Sequence, residues 1–455
     1  MTSKPSSRAA ALAAGLVLSL AAAACTGGGG PAPAAGSASG AATQGTASCR
    51  AGATQLTFWA WVPGMVRAVN AFNASHPGIC VGIQDIGAGD PEYVKITDAL
   101  KAGSGAPDVA EVEFDELPSF EITHSLVDLS KYGADRVKQA FVPWAWQEVS
   151  QGSAVYAFPG DSGPMGFYYN ANLLSQYGIT PPATWQDFAA DAAKLHQANP
   201  KAYLTNFAAG DLQWVLSLMA QDHAYPFGYN GGSKVVIDFT GPAQTQFANY
   251  WQALLSAHEV NATTDVSATS FADMDKGIDA SWLSSAWGPS YFAPDAKASV
   301  GQWRTADLPQ WTAGANVAAN WGGSAYPVFT QSRHPAEAAT FAEWMNSTDA
   351  SWAILKTQPS SLFPTYRHLL ADPAFNEITV PLSGTATPNA TFTRAAGNVT
   401  AVQWPPFMTE ALTQSATAFA GVINGSQSLP AAFRDFQDKL VNYAKQQGFQ
   451  VATSF

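Results

Sequence analysis

The sequence predicts an α/β fold because strand patterns and helix patterns alternate where the globular part of the chain begins. Residues 56–61 place Leu, Phe and Ala at alternate positions, and residues 66–72 carry apolar side chains at helical spacing. A second strand (80–83), a second helix (91–102) and a third strand (109–114) follow. Strands that alternate with helices form a parallel sheet, and the carboxyl ends of its strands border the ligand crevice. We therefore expect the residues that end the first and third strands to lie at that crevice.

The chain starts with a pattern typical of a secretory lipoprotein signal peptide. Lys4 and Arg8 precede an apolar run over residues 9–24, and the last three residues of this run, Ala22 to Ala24, supply the small side chains expected before Cys25. This run is shorter than the roughly 20 residues that span a bilayer. We predict a signal peptide over 1–24 and a lipid on Cys25. Secretion without lipid is the alternative, because Ala22 stands where this signal usually has Leu.

Residues 25–49 are predicted to be a flexible tether, since 26–48 contain no charged residue and are rich in Gly, Ala and Pro. Once Cys25 carries lipid, Cys49 and Cys80 are the two cysteines left to pair in an oxidising compartment. A bridge between them would contribute about 3 to 4 kcal/mol in the chain-entropy model. Two free thiols are the alternative.

Composition narrows the class of partner. A chain of 455 residues allows two or three domains. The formal net charge is −12, and Lys and Arg form no cluster, so nucleic acid is not expected as a partner. The seven His residues do not recur at zinc-binding spacing and there is no Cys-x-x-Cys motif, so we predict neither a metal site nor a cofactor.

A second α/β region is predicted after the turn-forming residues 159–164, where the chain can pass from one lobe to another. Its expected elements, in chain order, are a strand at 167–170, helices from near 186, over 213–221 and over 243–257, a Trp-rich block at 282–287, a return crossing at 301–309 and a mostly helical part from about 349 to 455.

Seven short patterns recur in the order of a known family: 72–79, 103–109, 156–159 with 168–170, 182–188, 308–309, 321–323 and 335–341. In this order, behind a lipoprotein signal, they resemble the extracellular solute-binding lipoproteins of bacterial ABC importers. The specific resemblance is to the carbohydrate-binding group (family 1) that includes the maltose-binding protein.

The resemblance implies a periplasmic-binding-protein-like fold of two α/β lobes joined by a hinge, with the ligand held in the cleft between them. One lobe would comprise 50–160 and 305–347, and the other 165–300 and 350–455. It further implies a monomer without enzymatic activity at the extracellular face of the bacterial cell membrane. There the protein would capture a sugar or oligosaccharide and deliver it to the permease of an ABC transporter.

Sugar chemistry suggests which residues form the site, because a saccharide needs flat aromatic platforms and acceptors for its hydroxyl groups. The rings expected to stack are those of Trp59, Trp61, Trp287 and Trp321, with Trp404 and Phe407 as weaker candidates. The carboxylates expected to accept from hydroxyl groups are Glu113, Asp115 and Asp161. Gly322 and Gly323 would let the backbone approach the ligand.

Two other functions are compatible with the same residues. A secreted glycoside hydrolase also combines Trp platforms with carboxylates about 5 to 10 Å apart, and Glu111, Glu113, Asp115 and Glu116 could take that role. A peptide-binding or adhesive surface lipoprotein is the third possibility. Steady release of product from oligosaccharides would identify the hydrolase, and the absence of any stabilisation by sugars would favour the peptide-binding or adhesive protein.

Overall fold

The structure, a computed structural model, describes residues 42–43, 49–357 and 361–454. The predicted signal peptide, Cys25 and most of the predicted tether lie outside the described residues. The described residues all belong to one compact unit. Its strands are β1 (Ala42–Thr43), β2 (Thr54–Trp59), β3 (Ile79–Asp85), β4 (Val109–Ala110), β5 (Val112–Glu113), β6 (Ser150–Gln151), β7 (Ala154–Val155), β8 (Ala157–Pro159), β9 (Met165–Asn170), β10 (Phe227–Tyr229), β11 (Lys234–Ile237), β12 (Ser281–Ser285), β13 (Trp303–Ala306), β14 (Ser324–Pro327) and β15 (Gln450–Ala452).

The α-helices occupy the connections between strands and most of the last hundred residues. They are α1 (Met65–Ser75), α2 (Asp90–Lys101), α3 (Leu117–Ile122), α4 (Pro143–Glu148), α5 (Ala171–Gln176), α6 (Trp185–Ala198), α7 (Leu212–Gln221), α8 (Pro242–Ser256), α9 (Ala268–Asp275), α10 (Gly288–Phe292), α11 (Pro335–Ser347), α12 (Asp349–Leu355), α13 (Arg367–Leu370), α14 (Pro373–Asn376), α15 (Asn389–Ala396), α16 (Met408–Ala418), α17 (Ala420–Ile423) and α18 (Leu429–Gln446). Short 3-10 helices lie at Leu129–Tyr132, Ala134–Ala140 and Pro381–Ser383.

The first sheet has the order β1-β3-β2-β4. Its central strand β2 runs parallel to β3 and to β4, with Phe58 opposite both Ile83 and Val109. The parallel pairing predicted for the first three strands is therefore confirmed. At the far edge β1, which lies within the segment predicted as a tether, pairs antiparallel with β3.

The third predicted strand, 109–114, is two strands rather than one. β4 pairs with β2, whereas β5 pairs with β14 in another sheet. Between them the Glu111 N–H donates to the Trp59 carbonyl at 2.8 Å, and the Glu111 side chain is fully buried. Glu111 therefore marks the point where the chain leaves one sheet for the next, and Glu113 comes to lie opposite Ser324.

The remaining sheets combine strands that are far apart in the sequence. β14 lies between β5 and β8, and β9 lies between β12 and β13, with antiparallel pairing throughout. β11 pairs antiparallel with β10 and parallel with the last strand, β15. The mostly helical character predicted for 349–455 is confirmed, apart from this final strand.

Apolar side chains form two large buried clusters. One surrounds the first sheet, where the Phe58 ring packs on Phe341 and Tyr326 with centroids 5.1 and 5.5 Å apart. The other surrounds Trp185, whose ring lies 5.4 Å from that of Trp251. The Trp side chains that are less than 2% exposed are those of Trp185, Trp214, Trp251, Trp282, Trp303 and Trp352. A large part of the tryptophan content therefore serves the core rather than a ligand surface.

The structure joins Cys49 and Cys80 in a disulfide with their Cα atoms 5.7 Å apart. This bond ties Cys49, shortly before β2, to β3. Within the part of the chain that the structure describes, no helix combines the length and the apolar character needed to span a bilayer. The predicted boundaries of the two lobes stay a prediction.

Candidate ligand-binding cleft

A cavity of about 530 Å³ lies where the loops after β2 and β8 meet the start of α7 and the segment before β14. Its walls come from both predicted lobes. The lining residues are Trp61, Val62, Pro63, Glu111, Glu113, Asp161, Ser162, Asp211, Gln213, Val266, Trp287, Ser290, Tyr291, Trp321, Gly322, Gly323, Ser324, Ser361, Leu362 and Phe363. A volume of this size is typical of a small-molecule site.

Aromatic side chains form one wall of the cavity. The rings of Trp287 and Trp321 have centroids 4.5 Å apart, and the Trp287 Nε1–H donates to the Trp321 carbonyl at 2.9 Å. Tyr291 packs edge-on against Trp287 and is 56% exposed. Trp321 is only 3% exposed, so Trp287 offers the larger free ring surface of the pair.

Two glycines allow the backbone to form part of this wall. Gly322 and Gly323 have φ of +78° and +108°, in a region that side chains disfavour. A Cβ on Gly323 would lie 2.9 Å from the Asp161 carbonyl oxygen, and one on Gly163 would overlap the Trp321 carbonyl. The segments 161–163 and 321–323 thus approach each other more closely than side chains would permit.

Glu111 lines the cavity and is fully buried. Its Oε2 accepts from the backbone N–H groups of Trp61 at 3.1 Å and Val62 at 3.4 Å. Burial raises the pKa of the Glu111 carboxyl well above its usual range, and the nearby carboxyls of Asp161 and Glu92 add to the rise.

Glu113 and Asp161 present two more carboxyl groups. The Tyr93 hydroxyl donates to Glu113 Oε2 at 3.2 Å and accepts from the Glu113 N–H at 3.0 Å. The Ser324 N–H donates to Asp161 Oδ1 at 3.2 Å. Burial raises the pKa of Glu113 well above its usual range and that of Asp161 to about 6. These groups can accept hydrogen bonds from a ligand that removes the remaining water.

The start of α7 also lines the cavity, through Asp211 and Gln213. Asp211 caps this helix by accepting from the Trp214 N–H at 2.9 Å, and burial raises the pKa of its carboxyl to about 6. Gln213 lines the cavity and donates from Nε2 to Asp115 Oδ2 at 2.5 Å. Among the described residues, no group of three or more His, Cys, Asp and Glu side chains could hold a metal ion.

Residues 59–352 match the family model described as bacterial extracellular solute-binding protein. The chain belongs to this family. The solute-binding protein is 26% identical over 324 residues to the lactose-binding protein of Rhizobium radiobacter. The aligned region covers 66% of this chain and 72% of that relative. The family predicted from the sequence motifs, and with it solute binding, is thereby confirmed.

Two solved structures share the fold of this solute-binding protein. The ABC transporter associated binding protein from B. animalis subsp. lactis Bl-04, in complex with beta-1,6-galactobiose, is 28% identical with a TM-score of 0.73, covering 88% of this chain and 99% of that chain. The galacto-N-biose-/lacto-N-biose I-binding protein from Bifidobacterium longum is 24% identical with a TM-score of 0.76, covering 89% and 100%. The predicted α/β fold of the periplasmic-binding-protein type is confirmed.

The structure gathers most of the site residues predicted for this solute-binding protein around the one cavity. Those that line it are Trp61, Glu113, Asp161, Trp287, Trp321, Gly322 and Gly323. Trp59, Asp115, Trp404 and Phe407 are not among the lining residues.

Each of these four side chains has a partner within the protein. Trp59 donates from Nε1 to Gln84 Oε1 at 3.1 Å, and Trp404 donates to Glu148 Oε2 at 2.9 Å. Phe407 is 6% exposed and packs on the rings of Tyr443 and Phe449. Asp115 is 5% exposed and lies behind Gln213, which reaches the cavity in its place.

Several lining residues of this solute-binding protein were not predicted as ligand contacts. They are Val62, Pro63, Glu111, Ser162, Asp211, Gln213, Val266, Ser290, Tyr291, Ser324, Ser361, Leu362 and Phe363. Asp211 stands directly before an apolar helical stretch, which is the signature of an ordinary helix cap. That local signal concealed its second position at the cavity wall.

Proposed function

We propose that this solute-binding protein captures a sugar or oligosaccharide in the cleft and delivers it to the permease of an ABC transporter. A lipid on Cys25 holds it at the extracellular face of the bacterial cell membrane, where it acts as a monomer. It carries out no reaction itself.

The observation that carries this proposal is the pairing of an aromatic wall with carboxyl groups around one cavity. Trp287 offers a flat apolar surface to the C–H face of a sugar ring, and Glu113 and Asp161 offer acceptors for its hydroxyl groups. A buried hydroxyl group without a partner costs about 1 to 3 kcal/mol, so a saccharide on this aromatic surface also needs the acceptors that the carboxyl groups provide.

The relatives support the same class of ligand. The relative from Rhizobium radiobacter is described as lactose-binding, and the structure that is 28% identical contains beta-1,6-galactobiose. Both ligands are disaccharides that contain galactose. They make lactose and beta-1,6-galactobiose the first saccharides to test.

A thermal-shift panel tests the proposal. The purified protein is heated with lactose, beta-1,6-galactobiose, maltose and an arabinose disaccharide, and with a dipeptide mixture as the control. A bound saccharide at 100 times its Kd adds about 2.7 kcal/mol to the free energy of unfolding. Stabilisation by a saccharide alone supports the proposal, and stabilisation by dipeptides alone contradicts it.

The same samples distinguish binding from hydrolysis. Each saccharide is incubated with the protein at about 37 °C, and the sugars in the sample are then separated by chromatography. An unchanged saccharide is expected. Steady release of monosaccharide that disappears in Glu113→Gln would make the chain a glycoside hydrolase instead.

Attachment through lipid has its own test. Cells that express the protein are fed a labelled fatty acid, and the protein is recovered by immunoprecipitation. Label is expected in the wild-type protein and absent from Cys25→Ala. An unlabelled wild-type protein that is released into the medium would favour plain secretion.

A further inference from the structure

Every charged side chain that lines the cleft is acidic. Glu111, Glu113, Asp161 and Asp211 line it, and the lining residues include no Lys, Arg or His. None of the ion pairs found within the described part of the chain involves these four carboxyl groups. Burial raises the pKa of Glu111 and Glu113 well above their usual range, so the negative charge of the cleft at neutral pH lies on Asp161 and Asp211, whose pKa is raised only to about 6. The described protein groups provide no cation for this charge.

Neutral groups are the hydrogen-bond partners of these carboxyls. Backbone N–H groups donate to Glu111, Asp161 and Asp211, and the Tyr93 hydroxyl donates to Glu113. Such bonds orient the oxygens without neutralising them. A carboxylate held in this way attracts a cation more strongly than it would in water, because the surroundings screen its charge less.

The aromatic wall favours the same sign of charge. The ring of Trp287 borders the cavity, and the Tyr291 ring packs against it at a centroid distance of 5.4 Å. The face of an indole ring carries partial negative charge and attracts cations within about 6 Å. An amine on the ligand would thus find favourable charge on the cleft carboxylates and on the Trp287 ring, whereas a carboxylate would find it on neither.

We propose that the cleft selects among saccharides by charge, so that an aminated saccharide binds most tightly, its neutral form less tightly and its uronic acid form least. This inference rests on the proposed saccharide-binding function. An ammonium group donates charge-assisted hydrogen bonds to the carboxylates of Asp161 and Asp211, and these bonds are stronger than those donated by a hydroxyl. A uronate brings a like charge into the same space, and like charges at close range oppose binding.

A printed array of disaccharides tests the order of affinities. Each hexose disaccharide is present in three forms: unmodified, with one 2-amino group, and with one uronic acid. N-acetylated copies of the aminated disaccharides control for the bulk of the 2-substituent without its charge. The array is probed with fluorescently labelled protein. For each disaccharide that the protein binds, we expect the aminated form to bind at least tenfold more tightly than the neutral form, and the uronic acid form at least tenfold more weakly than the neutral form.

The outcomes separate this inference from the function on which it rests. Binding of neutral saccharides with equal or tighter binding of the uronates overturns charge selection and leaves saccharide binding intact. An array without any bound disaccharide contradicts saccharide binding itself, and charge selection with it.

Variants that remove one charge locate the effect in the cleft. Asp211→Asn keeps a helix-capping side chain, so α7 keeps its cap, and it removes one carboxylate from the wall. We expect the ratio of amine to neutral affinity to fall at least threefold in Asp211→Asn and in Asp161→Asn. Asp438→Asn, on the exposed face of α18, is the matched control and leaves the ratio unchanged. An unchanged ratio in both cleft variants, each with a wild-type melting temperature, overturns the proposal.

Discussion

The side-chain amide of Gln213 donates to Oδ2 of Asp115 at 2.5 Å, and this bond joins the start of α7 to the segment after β5. Asp115 belongs to the first predicted lobe and Gln213 to the second. Burial raises the pKa of Asp115 to about 6, and the Gln213 amide opposes that rise by stabilising the ionised form. The bond therefore links the two sides of the cleft most strongly when Asp115 is ionised.

Gln213→Ala is expected to destabilise the protein in a pH-dependent way. The variant leaves the buried Asp115 carboxylate without its amide partner. At pH values above the Asp115 pKa of about 6, this costs about 1 to 3 kcal/mol in the free energy of unfolding. Below that pH the protonated carboxyl loses less, so the difference from wild type shrinks. Urea unfolding at pH 5 and pH 7.5 measures both values.

Gln427→Ala, which removes an exposed hydrogen bond from the Gln427 amide to Asp435, is the control and should cost less than about 0.5 kcal/mol at either pH. A loss for Gln213→Ala that is equal at both pH values would contradict this account.

Trp287→Ala is expected to weaken saccharide binding at least tenfold, because it removes the ring with the larger free surface at the cavity. Isothermal titration with the disaccharide that stabilises the protein most gives the Kd. Trp59→Ala is the comparison, since Trp59 was predicted to stack but is bonded to Gln84 outside the cavity lining. Its Kd should stay within about threefold of wild type. A larger rise in Kd for Trp59→Ala than for Trp287→Ala would mean that the ligand contacts Trp59 and not the cavity wall at Trp287.

The sequence predicts the local elements well because their signals are local. The alternation of apolar residues over 56–61 and the helical spacing over 66–72 do not depend on distant contacts. The break at Glu111 does depend on them, since its carboxylate accepts from Trp61 and Val62, about fifty residues earlier in the chain. No pattern within 109–114 announces that break.

The residues of the candidate site can be predicted from the sequence only in part. Trp287, Trp321 and the two glycines were predicted because ring chemistry and small residues stand out in a sequence. Trp404 and Phe407 have the same chemistry, but their rings serve internal packing and hydrogen bonding in the structure. Burial depends on which segments meet in three dimensions, and residue type alone does not contain that information.

Gly323→Ala is expected to lower the free energy of unfolding by about 2 to 4 kcal/mol. The new Cβ would lie 2.9 Å from both the Asp161 carbonyl oxygen and the Ser162 Cα, at a φ of +108°. Gly425→Ala is the matched control, because Gly425 also has a positive φ but open space around its Cβ position. That variant should lose only about 1 kcal/mol, the strain of the backbone alone. Equal losses in guanidinium unfolding would show that the close approach of 161–163 and 321–323 does not constrain position 323.

The paired variant Cys49→Ser, Cys80→Ser is expected to lose about 3 kcal/mol of stability, since the disulfide closes a loop with a sequence separation of 31. Urea unfolding with and without a reductant checks this. The reductant should lower the stability of the wild-type protein to that of the variant and leave the variant unchanged. A wild-type protein that is insensitive to reductant under unfolding conditions would indicate two free thiols.

Glu92→Gln is expected to stabilise the protein at neutral pH and to flatten the dependence of its stability on pH. Glu92 is fully buried, and neither of its carboxyl oxygens has a hydrogen-bond partner among the described residues. Burial raises the pKa of Glu92 from 4.5 to about 9, with the Asp85 carboxylate adding to the rise and Lys95 opposing it.

The sign of the effect follows from where the proton is bound. Between pH 4.5 and about 9 the folded protein keeps a proton on Glu92 that the unfolded chain has released. Stability therefore falls as pH rises through this window, and a side chain that cannot ionise removes the loss, on the order of 3 kcal/mol at pH 7. Guanidinium unfolding from pH 5 to pH 8.5 should give a gain for Glu92→Gln that grows with pH. Glu377→Gln, at an exposed position after α14, should show no gain at any pH. A gain that is constant with pH, or a loss, would mean that Glu92 is ionised in the folded protein and has a cationic partner.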